Sequence, residues 1–208
     1  MAAASAVFQR IYQRNLWGFG SGHGARPRVT KGYRAFVENF IRENAVTSVV
    51  DFGCGDWQFS RLIDWAGADY LGLEVVPELV HRNQARYGRP GIAFAPTPDR
   101  LADVPRADLL LVKHVLQHWP MRLVQDFMAE VVPKFRAALI TNSVEPSHTL
   151  NSEIALGEWC ALDLRRAPYR YDVPAVFSFD VPAAWSWRKL RKYVASREAV
   201  LLFSQPRT

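Results

Sequence analysis

Residues 49–55 read Val-Val-Asp-Phe-Gly-Cys-Gly, and no other stretch constrains the fold as strongly. A short apolar run, Val46 to Val50, has the length and content of a buried strand. It ends in Asp51, and Gly53 and Gly55 follow. Beyond them Phe59, Leu62, Ile63 and Ala66 recur at helical spacing, which predicts a helix over 57–66. Strand, Gly-x-Gly turn and helix together hold nucleotide-like ligands, because glycine lets backbone approach a ligand and a helix N-terminus offers free N–H groups. A second apolar run, Tyr70 to Leu73, closes on Glu74. An acid about 20 residues beyond the glycines is placed to hydrogen-bond ribose hydroxyls.

The residues between these landmarks separate two ligand classes. A dinucleotide fingerprint requires a third glycine where this chain has Gln58. Asp51, just before the glycines, would repel phosphate and suits a cationic ligand. The combination of Asp51, Gly53, Gly55 and Glu74 resembles the class I S-adenosylmethionine-dependent methyltransferases, and the resemblance extends from about Tyr33 to Phe203. It implies a Rossmann-like, doubly wound α/β sheet, mostly parallel with a C-terminal antiparallel strand, formed by the chain as a single domain. It also implies S-adenosylmethionine as cofactor, held by Asp51, Gly53, Cys54, Gly55, Trp57, Glu74, Val75, Thr97 and Lys113. Trp57 stands where the family often has a further glycine, so its indole is expected beside the site. Asp99, in a proline-rich loop, is a weaker match to the residue that often lies near the adenine amino group.

The pattern along the chain agrees with alternating strands and helices. A helix is expected over 6–15, then a glycine-rich loop over 18–24. Thr30 is expected to cap a helix that runs to Asn44. Strands are expected at 46–51, 69–74, 92–95, 109–112, 138–141, 176–181 and 199–204, with helices opening at Pro77 and Pro120. Residues 143–174 interrupt this rhythm with Trp159, Tyr169, Tyr171 and several prolines. A loop this long in a compact domain reads as a lid or binding loop, and it looks like a segment of a small bacterial branch of these methyltransferases.

The net charge of +6 lies wholly in residues 1–37, which carry Arg10, Arg14, Arg26, Arg28, Lys31 and Arg34 and no acid. Three readings stand open: a cap of helices and glycine loop (residues 1–44) folded over the cofactor, an arm for an anionic substrate or nucleic acid, and a transit peptide. The stretch Trp17-Gly-Phe-Gly-Ser-Gly-His-Gly24 favours the cap. A second basic cluster, Arg188, Lys189, Arg191, Lys192 and Arg197, reads as a solvated helix face. Two cysteines are too few for a disulfide framework, and no long apolar window predicts a membrane span, so a cytoplasmic enzyme is expected.

The segment after the fourth strand, Val112-Lys-His-Val-Leu-Gln-His-Trp-Pro120, corresponds in the family to the edge that faces the transferring methyl group. His114 and His118 are four apart and would share a face on a helical turn. No third ligand accompanies them, so no metal site is expected. His114, His118 and Glu145 are the candidate bases. Asn142, Trp159 and Tyr169 are the candidate acceptor contacts. The expected acceptor is a small molecule, sugar or glycan. An RNA or protein methyltransferase is the first alternative, although the base-amine signature Asn/Asp-Pro-Pro-Tyr/Phe is absent. A non-catalytic cofactor-binding regulatory domain is the second.

Overall fold

The computed structural model describes residues 2–145, 150–186, 191–193 and 195–205. Seven strands form one sheet: β1 (Ser48–Phe52), β2 (Asp69–Glu74), β3 (Ile92–Pro96), β4 (Leu109–Lys113), β5 (Ala137–Ser143), β6 (Ala175–Val181) and, last in sequence, β9 (Ser196–Ser204). Their order is β3-β2-β1-β4-β5-β9-β6. The pairs from β3 to β5 are parallel, and β9 runs antiparallel to both β5 and β6. A small second sheet pairs β7 (Ala184–Ser186) with β8 (Arg191–Tyr193).

The central strands are apolar throughout because both their faces are covered. In β4, Leu110 and Val112 join Val50, Phe52, Ala138 and Ile140 on one face, while Leu109 and Leu111 join Val49, Leu139 and Val200 on the other. Helix α4 (Met121–Glu130) inserts Phe127, and α1 (Ala2–Gln13) inserts Phe8 and Ile11, into the first layer. Helix α2 (Lys31–Glu43) supplies Tyr33, Val37 and Ile41 to the second. Helix α3 (Pro77–Tyr87) opens with its proline at the first turn and reaches back to the glycine loop, where Asn83 Nδ2 donates to the Gly55 carbonyl at 2.8 Å.

Three expectations are corrected. No helix forms over 57–66; a single 3₁₀ turn, Ser60–Leu62, stands there instead. Trp57 and Ala66 have φ of 56° and 54°, in the left-handed region that ends helices. Thr30 precedes α2, but its hydroxyl donates to the Arg26 carbonyl at 3.1 Å instead of capping the helix. Arg191 and Lys192 lie in β8 and Arg197 in β9, so the basic cluster is not helical there, while Arg188 and Lys189 fall outside the described residues.

Residues 150–174 have no helix or strand, yet they are firmly attached. Gly157 N donates to His118 O at 2.9 Å, Cys160 N to Gln117 O at 3.1 Å and Leu162 N to Ser143 O at 2.8 Å. Ala161, Leu162 and Leu164 are buried. Helix α1 lies across this segment so closely that a Cβ at Gly157 would come within 2.5 Å of the Val7 side chain. Among the described residues no helix is long and apolar enough to cross a membrane.

Candidate active site

A cavity opens where β1, β2 and β4 end, and it encloses about 770 Å³ of empty space, open mouth included. The glycine loop forms one wall. Gly53 and Gly55 have φ of 76° and 60°, and a Cβ at Gly53 would sit 2.5 Å from Val115 Cγ2. Any side chain at Gly55 would collide with Ser21. Both glycines are therefore required by backbone conformation and by close approach.

Glu74 closes the base of this wall. One carboxylate oxygen accepts the Gly55 N–H at 3.0 Å, and the other accepts those of Val75 at 2.8 Å and Val76 at 3.0 Å. Burial raises its pKa to about 7 in spite of these three donors. Val75 and Thr97 continue the lining beside it.

Two expected contacts lie behind the wall instead of on it. Trp57 is buried, and its indole N–H donates to Tyr70 OH at 2.9 Å. Tyr70 in turn donates to Asp51 Oδ2 at 2.7 Å. Burial raises Asp51 to about 6, against the pull of Tyr70, Lys113 and Ser60. Neither Asp51 nor Trp57 lines the cavity. This chain of three side chains supports the glycine loop from beneath, and the left-handed φ at Trp57 explains why a glycine would suit that position.

The N-terminal segment roofs the cavity with Phe8, Tyr12, Trp17, Ser21 and Ala25. Ser21 is the fastening. Its hydroxyl donates to Asp56 Oδ1 at 2.8 Å and accepts the Asp56 N–H at 3.0 Å, and its own N–H reaches Asp56 Oδ2 at 3.2 Å. Since its single proton goes to Asp56, Tyr12 OH is the donor in the 2.7 Å contact with Ser21. Nothing in the local sequence marks Tyr12 or Ser21, because the contact spans 35 positions to Asp56.

The fourth side of the cavity carries Lys113, His114 and His118. His114, at φ 57°, faces Glu198 with Nε2 to Oε2 at 2.7 Å. Lys113 Nζ lies 3.2 Å from His114 Nδ1 and donates to Gly24 O at 3.1 Å. His118 sits in the 3₁₀ turn Leu116–His118, with Nδ1 2.8 Å from the Glu158 carbonyl and its ring 4.8 Å from that of Trp17. A carbonyl only accepts, so Nδ1 carries the proton and Nε2 the lone pair. Burial lowers His118 to about 4, so the ring is neutral near pH 7. The remaining candidates lie elsewhere: Glu145 and Trp159 are exposed, Tyr169 packs on the core, and Asn142 is buried in β5 with no partner for Oδ1 among the described residues. None of the four lines the cavity, nor does Asp99. Among the described residues no group of three or more His, Cys, Asp or Glu is placed to hold a metal ion.

This strand order, with cavity-lining glycines after β1 and an acid ending β2, decides the architecture. The fold is that of the class I S-adenosylmethionine-dependent methyltransferases. The chain superposes on the magnesium protoporphyrin IX methyltransferase ChlM from Synechocystis PCC 6803 with bound SAM, at TM-score 0.58 and 16% identity over 97% of each chain. A structure titled for conversion of a disulfide bond into a thioacetal group during echinomycin biosynthesis gives TM-score 0.61 and 13% identity, covering 98% of this chain and 94% of that one. TehB from Haemophilus influenzae gives TM-score 0.57 and 12% identity over 81% of this chain, which spans 60% of TehB. A scan against family models and a search of curated proteins each returned no match. Within the methyltransferase fold, the cavity occupies the C-terminal edge of the parallel strands, at the switch point between β1 and β4 where open α/β sheets bind ligands.

Proposed function

We propose that this protein transfers the methyl group of S-adenosylmethionine to a small-molecule acceptor. The observation that carries the reading is the Glu74 carboxylate, fixed on the glycine loop at the wall of the cavity. The lining fits the cofactor. Glu74 Oε2 accepts one backbone N–H and keeps a lone pair for a ribose hydroxyl, the Gly53–Gly55 loop leaves room for a ligand against backbone, and Val75 and Thr97 lie where an adenine would extend. When bound, the cofactor supplies a sulfonium methyl that a nucleophile can take.

The chain's own residues do the rest. Phe8, Trp17 and Trp119 give the cavity apolar walls that exclude water. His118, oriented by the Glu158 carbonyl, presents the Nε2 lone pair as the site for the acceptor's proton. A small acceptor is favoured because Phe8, Tyr12, Trp17, Ser21 and Ala25 of the N-terminal segment roof the cavity. Named neighbours with this fold include a mitomycin 7-O-methyltransferase, which supports the same class.

Calorimetry tests the reading. S-Adenosylmethionine and S-adenosylhomocysteine are expected to bind with NAD silent, and equal or tighter binding of NAD would sink it. Once an acceptor is in hand, His118→Ala should keep cofactor affinity and lose about 10²–10⁴-fold in single-turnover rate. An unchanged rate removes His118 as the base.

A further inference from the structure

Lys113, His114 and Glu198 form a hydrogen-bonded chain that runs from the cavity wall into β9. Glu198 is a lone acid at the inward end of an otherwise apolar run, Ala199, Val200 and Leu201, and it is 1% exposed. Burying a carboxylate is expensive unless it is paired and hydrogen-bonded. Both its oxygens are engaged, Oε2 by His114 Nε2 at 2.7 Å and Oε1 by Ser196 Oγ at 2.7 Å. Burial pushes its pKa up, but His114, Ser196 and Lys113 outweigh that and hold it at about 2. A fully ionised carboxylate requires a donor, so His114 carries its proton on Nε2. Its Nδ1 is then a lone pair, and the Lys113 ammonium is the donor in the 3.2 Å contact.

The hydrogens of Lys113 can now be counted. One goes to His114 Nδ1 and one to Gly24 O. The third has no oxygen or nitrogen acceptor among the described residues; the nitrogen lies 5.3–6.0 Å from the ring centres of Tyr33, Phe59 and Phe179. The side chain is partly open, and what it opens onto is the cavity. Its neighbour Phe59 follows the glycine loop and Gly24 belongs to the N-terminal roof, whereas His118 and Trp119 lie further along the chain, where the acceptor's proton is placed. A charged ammonium on the cavity wall with an N–H to spare suits an anionic oxygen.

Resting on the methyltransferase reading, we propose that Lys113, positioned by His114 and Glu198, anchors the carboxylate of the cofactor's amino-acid tail. Lys113 is the contact residue, and Glu198 is a positioning residue that acts through His114. This assignment gives the chain a reason to carry a buried carboxylate linked through His114 to Lys113, and it gives the tail a partner that Asp51, turned toward Tyr70 behind the wall, does not provide.

The test compares S-adenosylhomocysteine with 5′-methylthioadenosine, which keeps the adenosine and lacks the amino-acid tail. Calorimetry on the wild-type protein should show a preference for S-adenosylhomocysteine. In Lys113→Met that preference should shrink by about 10- to 100-fold while methylthioadenosine binds as before, so the second ligand also reports an intact site. Glu198→Gln should shrink it by a smaller factor, and Lys113→Arg should restore most of it. Should Lys113→Met fail to fold, the wild-type preference measured from pH 6.5 to 9 decides. Lys113 is lowered to about 8 by burial, with Glu198 from β9 and Asp51 from β1 opposing, while His114 and Tyr33 are its other titratable neighbours. The preference should therefore decline above pH 8, and a flat profile overturns the anchor. An undiminished preference in Lys113→Met overturns it too. If the wild-type protein binds methylthioadenosine but prefers neither ligand, the anchor fails and the cofactor reading stands. If it binds neither, both fail.

Discussion

Glu74 shows how a single residue trades stability for binding. Its carboxylate accepts three backbone N–H groups yet remains raised to about 7 by burial, above the ordinary glutamate value of 4.5. A raised folded-state pKa means that the folded protein holds the proton more tightly than the unfolded chain. The sign follows: below pH 4.5 both states are protonated and Glu74 adds no penalty, and the penalty of burying its charge grows as pH rises to about 7 and then levels. Glu74→Gln removes this group alone, so the difference between the two thermal midpoints isolates it from Asp51 and the histidines. The Gln amide nitrogen cannot accept the backbone N–H that one Glu74 oxygen takes, a fixed cost at every pH, but relative to the wild type the variant should gain stability as pH rises from 4.5 to 8, while its affinity for S-adenosylhomocysteine falls by about 1–3 kcal/mol. A midpoint difference that does not change with pH would show that Glu74 is not buried as a charge. Glu74 was legible in the sequence because strand, glycines and acid sit at a fixed spacing. Glu198 was not, because a lone acid at the start of an apolar run has no meaning until β9 is seen to bring it to His114, just past the end of β4.

At the scale of elements, strands β1, β2 and β4 could be read from their apolar runs, and α3 and α4 from the prolines that open them. The expected helix after the glycines fails for a reason that side-chain periodicity does not carry. Phe59, Leu62 and Ile63 have helical spacing, but the left-handed backbone at Trp57 and Ala66 breaks the run at both ends. The loop N–H groups are accordingly spent inside the protein: those of Gly53 and Cys54 go to Leu73 O, at 2.8 and 3.1 Å, and that of Gly55 goes to Glu74. Closure of the site thus falls to the N-terminal segment, whose Ser21–Asp56–Tyr12 fastening lies directly over Gly55. Ser21→Ala removes the hydroxyl that serves all three of its side-chain bonds and leaves Tyr12 without its partner. Release of S-adenosylhomocysteine, followed by intrinsic tryptophan fluorescence in stopped flow, to which the cavity-lining Trp17 and Trp119 contribute, should accelerate by about tenfold, the equivalent of about 1.4 kcal/mol. An unchanged release rate would mean that the ligand leaves by a path this segment does not guard.

Across the whole molecule, the cavity and the core are one construction. Phe52 ends β1 immediately before Gly53, lines the cavity with one part of its surface, and packs against Phe127 of α4 at 4.9 Å between ring centres. Trp119, also a lining residue, meets Phe127 at 5.6 Å and Phe52 at 5.8 Å. Phe127 itself is fully buried and is not part of the cavity lining. Replacing it with alanine opens a void beneath both, and the cost of such a truncation is about 3–5 kcal/mol. For a chain of 208 residues this lowers the thermal midpoint by roughly 6–20 °C, since each kcal/mol shifts it by about 2–4 °C. The void also frees Phe52 and Trp119 to sag away from the ligand, so S-adenosylhomocysteine should bind more weakly in the variant even where all of it is folded. Saturating ligand should then raise the midpoint of Phe127→Ala by less than it raises that of the wild type, because stabilisation by a ligand follows its affinity for the folded state. The two measurements separate the contributions: a lowered midpoint with an equal ligand-induced rise would mean that the core supports the fold but not the cavity walls. An unchanged midpoint would refute the packing account altogether.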